Sequence, residues 1–215
     1  MPIPQTMTLT SSAWVDALFD VLRAGDASEP LRSAAIDERL GEWTRLLTTA
    51  VVDACARTGW VAAAKGHRLN LLPKVGEEYL GLDVMAFDTL SAGAAAGETA
   101  DGLPPSMCWP MPVAVFELEN SRDDDRVAYS LWKVLCVRAA LRVVFAYRGD
   151  WESGRALVQK LGRAVVEPMP VAERTTLVGE SLVLLGSRGE GETFPHGFFK
   201  VWRLDRGVGA FRKVT

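Results

Sequence analysis

Two apolar runs, VAVFELE at residues 113–119 and LRVVFAYR at 141–148, flank a segment of helical period, DDDRVAYSLWKVLCVRAA. Short runs so rich in β-branched and aromatic residues read as strands. The segment between them is too long for a hairpin and long enough for a helical crossover. The two strands are therefore expected to lie parallel in one sheet. This places the chain in the α/β class, with a central mixed sheet flanked by helices. EEYLGLDVMAFD, at 77–88, is a strand candidate ahead of the pair. It is expected to lie antiparallel to residues 113–119 across 89–112, a stretch rich in Gly, Ala and Pro that reads as a long loop or mobile flap.

The remaining elements follow from period and punctuation. SSAWVDALFDVLRAG reads as a short helix capped by Ser11 or Ser12 and stopped by Gly25, with a polar break through Pro30 after it. From residue 31 a long helix is expected, its stripe formed by Ile36, Leu40, Trp43, Leu46, Leu47, Ala50, Val51 and Ala54, and its end set by Gly59. WVAAAKG offers a short strand or turn. WESGRALVQKLGRAVV reads as a helix, SLVLLGS as a strand, GEGETFPHG as a turn and FFKVWRL as the final strand. No repeat or linker divides the chain, so one α/β domain is expected over 34–215, preceded by an extension with a short helix at 1–33.

With 215 residues, 48% of them hydrophobic, the chain can bury a full core without disulfide or metal staples. No apolar run reaches the roughly 18 residues of a membrane span. The N-terminal segment lacks the basic start and apolar stretch of a signal peptide. Cys55, Cys108 and Cys136 are odd in number and fit no zinc spacing, which reads as reduced thiols in a cytoplasmic protein. Net charge is −3, so the chain as a whole does not advertise a polyanion partner. Its distribution is uneven. Residues 1–60 carry five basic and eight acidic side chains, and residues 188–215 carry six basic and three acidic. A phosphate-facing surface would draw on the C-terminal strands and on residues 138–148; the plainer reading of the tail is solvated surface charge.

Two features stand apart from this frame. Strand alternation puts Val113, Val115, Glu117 and Glu119 on one face, and Tyr79, Gly81, Asp83 and Met85 on one face of the neighbouring strand. In the right register Asp83, Glu117 and Glu119 converge. Three carboxylates together raise one another's pKa values, and a divalent cation removes the conflict. A site of oxygen donors suits Mg²⁺, or Mn²⁺ in its place. The second feature is Lys133, in a helix that is apolar nearly all round. It must either snorkel to water or meet a carboxylate, and Glu117 and Glu119 are the nearest candidates.

The order of these residues resembles the PD-(D/E)XK, or restriction-endonuclease-like, nuclease superfamily. That pattern has an acid on a first helix, an Asp on one strand and a (D/E)-x-K tripeptide on the next, followed by helix, strand and helix. Glu42 matches the helix acid, Asp83 in GLDVMAF the strand Asp, and Glu117 in VAVFELE the acid of the tripeptide. The resemblance covers roughly residues 34 to 165. Glu119 stands where the family's lysine is usual, and Lys133 in SLWKVL corresponds to a lysine supplied from the following helix. The resemblance implies a Mg²⁺-dependent endonuclease acting on DNA. Asp83, Glu117 and the carbonyl of Leu118 would hold the metal, Glu119 or Lys133 would position the attacking water, and Glu42 would assist. A member of the same fold without chemistry, binding a protein or nucleic acid, is the second reading. An unrelated α/β interaction protein is the third.

Each residue also has a structural reading. Asp83 can end a strand, Glu117 and Glu119 can line an exposed edge, Glu42 can sit on a solvated face and Lys133 can reach water. Asp123, Asp124 and Asp125 are most simply acids at a helix N-terminus, and His196 a turn residue. No phosphate loop, nucleophile elbow or zinc-protease motif is present. With only His67 and His196 in the chain, a nucleophile with a histidine base is disfavoured.

Overall fold

The computed structural model describes residues 11–69, 72, 78–89 and 110–214. One seven-stranded mixed sheet runs in chain order from β1 to β7, with helices on both faces. The strands are β1 (Trp60–Ala64), β2 (Val84–Asp88), β3 (Ala114–Leu118), β4 (Leu141–Arg148), β5 (Glu180–Ser187), β6 (Phe199–Asp205) and β7 (Ala210–Lys213). β1, β2 and β3 form an antiparallel meander, with Val84 opposite Phe116. β3, β4 and β5 are parallel. β6 and β7 return antiparallel.

The helices are α1 (Ser11–Arg23), α2 (Gly25–Ile36), α3 (Leu40–Arg57), α4 (Asp124–Leu135), α5 (Trp151–Leu161) and α6 (Val171–Thr176). α4 is the crossover expected between β3 and β4. Its N-cap is Asp123, whose side chain accepts from the Asp125 N–H, with Asp124 and Asp125 in the first turn. Among the described residues no helix is long and apolar enough to cross a membrane.

Two hydrophobic cores lie on the two faces of the sheet. α1, α2 and α3 pack on one face over Ala114, Phe116, Leu118, Val143, Phe145 and Tyr147. Trp14 of α1 tilts against Phe116 with ring centroids 4.9 Å apart. Trp43 of α3 is 2% exposed and meets Tyr147 edge-on at 5.5 Å, with Phe198 at the same distance. That aromatic cluster fixes the start of α3 against the carboxyl end of β4. α4 and α5 cover the other face over Val115, Val144, Ala146, Val183 and Leu185.

Several elements differ from the sequence reading. The polar break through Pro30 is instead the middle of α2. Pro30 is exposed, so the carbonyl it leaves without a donor is open to water, while buried Leu31, Ala34 and Ala35 hold the helix down. The long helix expected from residue 31 breaks before α3, with Glu38 at φ 51. Ile36 and Leu40, assigned to its buried stripe, are 43% and 42% exposed. The strand expected over 77–88 begins only at Val84. Leu80 and Gly81 have φ of 56 and 61, and the Leu82 N–H donates to the Tyr79 carbonyl at 3.1 Å. Two consecutive left-handed residues make a tight turn of the type I′ kind instead of extended chain. α5 stops at Leu161 and gives way to a π-helical turn, Gly162–Val166. The edge strand β7 has no counterpart in the sequence reading. The loop expected over 89–112, and Cys108 in it, fall largely outside the described residues.

Gly179 opens β5 at φ 77, and a Cβ there would lie 2.2 Å from the Ala140 carbonyl oxygen. That carbonyl accepts the Glu180 N–H that starts the β4–β5 ladder. Gly179→Ala therefore adds left-handed strain and a clash with backbone, an expected loss on the order of 2–3 kcal/mol. Urea unfolding should show a lower midpoint with an unchanged slope.

Candidate functional site

The β2–β3 register sets Asp83 one rung beyond Val84 and Phe116, opposite Glu117. Asp83 leaves the turn at 79–82 and enters β2. Its Oδ2 accepts the Leu118 N–H at 2.6 Å, so the side chain continues the hydrogen bonding of the strand pair past the last paired residue. Glu117 points with Val115 toward α4 and is 5% exposed.

Lys133 answers Glu117 from the last turn of α4. Its Nζ lies 2.8 Å from Glu117 Oε1. It also donates to the Gly81 carbonyl at 2.5 Å and lies 5.6 Å from the Tyr129 ring centroid. The lysine therefore reaches a carboxylate, as one of its two sequence alternatives required, and the partner is Glu117. The turn at 79–82 explains the second contact, because it aims the Gly81 carbonyl at the ammonium.

Burial pushes the Glu117 carboxyl up to about 7, and the neighbouring Asp83 charge acts in the same direction. Lys133 and Ser130, by hydrogen bonding and charge, hold it back. Despite the ion pair, Oε1 accepts no hydrogen bond of good geometry from the described residues. Glu117 is thus a buried carboxylate whose compensation is incomplete.

The other candidates stand apart from this pair. β3 ends at Leu118, and the side chain of Glu119 beyond it reaches forward along the chain, its Oε1 accepting the Ser121 N–H at 2.7 Å. Strand alternation no longer governs a residue past the end of its strand. Glu42, in the first turn of α3, is paired with Arg39 and partly exposed. Its neighbour Thr44 makes the link to the site edge, accepting from Asn120 Nδ2 at 2.5 Å. Leu118 contributes a buried side chain to the first core. His67 lies 3.2 Å from Thr49 Oγ1 and His196 stacks on Phe19, both away from Glu117.

Among the described residues no group of three or more His, Cys, Asp or Glu side chains is arranged to hold a metal ion. The three-carboxylate convergence expected from alternation is therefore, in this geometry, the pair Asp83 and Glu117. The donor set still fits a hard divalent cation. Two carboxylates and the Leu118 carbonyl are all oxygen, one of them an incompletely compensated buried oxygen, and a cation such as Mg²⁺ keeps several of its own waters.

Sequence reasoning missed Ser130 and the Gly81 carbonyl. Ser130 was legible, since it precedes Lys133 by three residues and shares its helical face. The Gly81 contact depends on a turn that the apolar pattern disguised as strand. Comparison with family models, with curated proteins and with solved structures returns no match to this chain.

A carboxyl whose folded value of about 7 stands above its ordinary 4.5 holds its proton more firmly in the native state. The stability from that proton is complete below about pH 4.5 and is lost as pH rises through 7. Glu117→Gln removes the dependence. In a metal-free buffer with chelator, its stability relative to the parent should rise between pH 4.5 and pH 8 by about 3 kcal/mol. A difference that stays flat across that range would show that Glu117 is not held near 7.

Proposed function

We propose that this protein is a Mg²⁺-dependent DNA phosphodiesterase, an endonuclease of the PD-(D/E)XK type. The observation that carries the reading is Glu117, buried in β3 beside Asp83 and met by a lysine from the following helix. Further support comes from the element order. α3, β2, β3, α4, β4 and α5 follow one another in the order of the resemblance, with β1 as an additional strand ahead of β2.

Asp83, Glu117 and the Leu118 carbonyl are the residues that would hold the cation. When bound, it supplies Lewis-acid polarisation of a phosphoryl oxygen and lowers the pKa of a coordinated water. Lys133 keeps a cationic donor at the same point. Its ammonium can stabilise charge developing on a phosphate oxygen, a role worth about 10²–10³ in rate when one donor is lost. The Gly81 carbonyl and the packing of α4 hold that ammonium in place, so its orientation is set before substrate arrives. Asp83 fixes the site to the end of β3 through Leu118. Glu42 is turned to Arg39, and a part for it requires that pair to open.

A fold of this kind without chemistry, binding a protein or nucleic-acid partner, is the second reading. The specific observation favouring it is that Asp83 and Lys133 are both engaged in backbone contacts and Glu119 is bonded to the Ser121 N–H.

Mg²⁺ or Mn²⁺ should raise the melting temperature by mass action. Asp83→Asn should abolish that rise and stop cleavage of DNA. Lys133→Ala should keep the metal response and slow cleavage by about 10²–10³. Metal-dependent stabilisation without cleavage of linear, circular or single-stranded DNA would favour the second reading. No metal response would remove both the cation and the nuclease assignment.

A further inference from the structure

A second hollow, of about 470 Å³, opens at the carboxyl ends of β3, β4 and β5. Asn120, Arg122, Tyr147, Arg148, Arg188 and Gly189 line it. It lies toward the α3 face, since Tyr147 packs in the first core, whereas Glu117 faces α4. Asp83 lies near both, because its Oδ2 accepts the Leu118 N–H at the end of β3, two residues before Asn120.

The charge of this hollow is not balanced. Arg148 is matched by Asp124, to which it is hydrogen-bonded. Arg122 reaches Glu38, the one acid in the wall, only at 3.4 Å and is 82% exposed. Arg188 has no ion pair or hydrogen bond among the described residues; its guanidinium lies 5.5 Å from the Tyr147 ring centroid. Such a stack leaves the planar donor fork free for an oxyanion. Two neutral polar atoms are also left over. Among the described residues the buried Tyr147 hydroxyl and Asn120 Oδ1 have no hydrogen-bond partner. Gly149, on the rim, carries no side chain, and a Cβ there would meet nothing within 4 Å.

We infer that this hollow seats one phosphate of a nucleic-acid strand on Arg188 and Arg122. Asn120 Oδ1 decides between a nucleotide and a bare phosphate. It is an acceptor, which a phosphate dianion leaves unsatisfied, whereas a nucleotide brings donor groups on its base. The choice of DNA as the strand rests on the proposed nuclease function; the anion site does not. Asn120 directly follows Glu119 and bonds Thr44, so a strand seated here passes the end of β3, where Asp83 and Glu117 stand.

The test is fluorescence anisotropy of a labelled DNA oligonucleotide, with and without a 5′-phosphate, in chelator so that no cation contributes. Arg188→Gln and Arg122→Gln should each weaken binding, Arg188→Gln by about tenfold. Each should lower the slope of log affinity against log salt by about one. Arg212→Gln, on the exposed strand β7, should bind as the parent does. Inorganic phosphate at millimolar concentration should compete. Equal losses with and without the 5′-phosphate mark a backbone phosphodiester as the ligand, and a loss confined to the phosphorylated oligonucleotide marks a terminal phosphate; either supports the site. Parent-like binding by Arg188→Gln, equal weakening by Arg212→Gln, or no DNA binding by the parent would overturn it. Arginine-dependent binding without metal-dependent cleavage keeps this site and removes the nuclease reading.

Discussion

A carboxylate buried within a central strand has to be compensated, and the way Glu117 is compensated organises one end of this molecule. Its partner cannot come from β3 itself, where every neighbour is apolar and buried. It comes from α4, whose last turn carries Lys133 over the sheet. Lys133 needs a second acceptor to remain there, and the turn ahead of β2 provides the Gly81 carbonyl. The turn in turn delivers Asp83 to the end of β3. Removing the Lys133 charge leaves Glu117 buried without its partner, which costs more than the pair itself is worth. A fold seeking stability alone would do better with apolar residues at both positions. Their presence is the physical reason for placing function here.

The centre of the fold was legible because burial on both faces leaves an unmistakable mark. β3, β4 and β5 are mostly apolar runs interrupted by few charges, and the helical segment between β3 and β4 leaves a parallel crossover as the economical connection. The Glu117–Lys133 contact was legible as a pair of alternatives, since a lysine in a nearly all-apolar helix has few ways to be solvated. The edges of the reading failed for local reasons. Pro30 was read as a break because an exposed helix face can tolerate a missing donor that a buried one cannot. The strand ahead of Asp83 was read too long because Tyr79, Leu80 and Leu82 are apolar, while the turn is made by backbone angles at Leu80 and Gly81. Glu119 was placed by alternation beyond the point where the strand ends. The aromatic cluster around Trp43 joins residues more than 150 positions apart, and no local pattern announces such a contact.

The sheet edge at the ends of the parallel strands gathers opposite charges on opposite faces. Toward α4 stand the acids with Lys133; the hollow toward α3 carries Arg122 and Arg188 with Glu38, while Arg148 in its wall turns to Asp124 of α4. The carboxyl ends of parallel strands are where open α/β sheets place ligands. A polyanion bound along the arginines would bring its phosphates to the acids only with a cation between them, because phosphate and carboxylate repel. On the proposed function the two halves of the edge would act together: one side would hold the strand, and the other would need a cation to meet it.

The most direct test of the central claim is an anomalous difference map from crystals grown with Mn²⁺. The predicted result is a peak bounded by the carboxylates of Asp83 and Glu117 and the carbonyl of Leu118, with Lys133 still directed at the same point. A map without density there, with Lys133 remaining 2.8 Å from Glu117 in the presence of Mn²⁺, would contradict it and leave the pair as a structural ion pair.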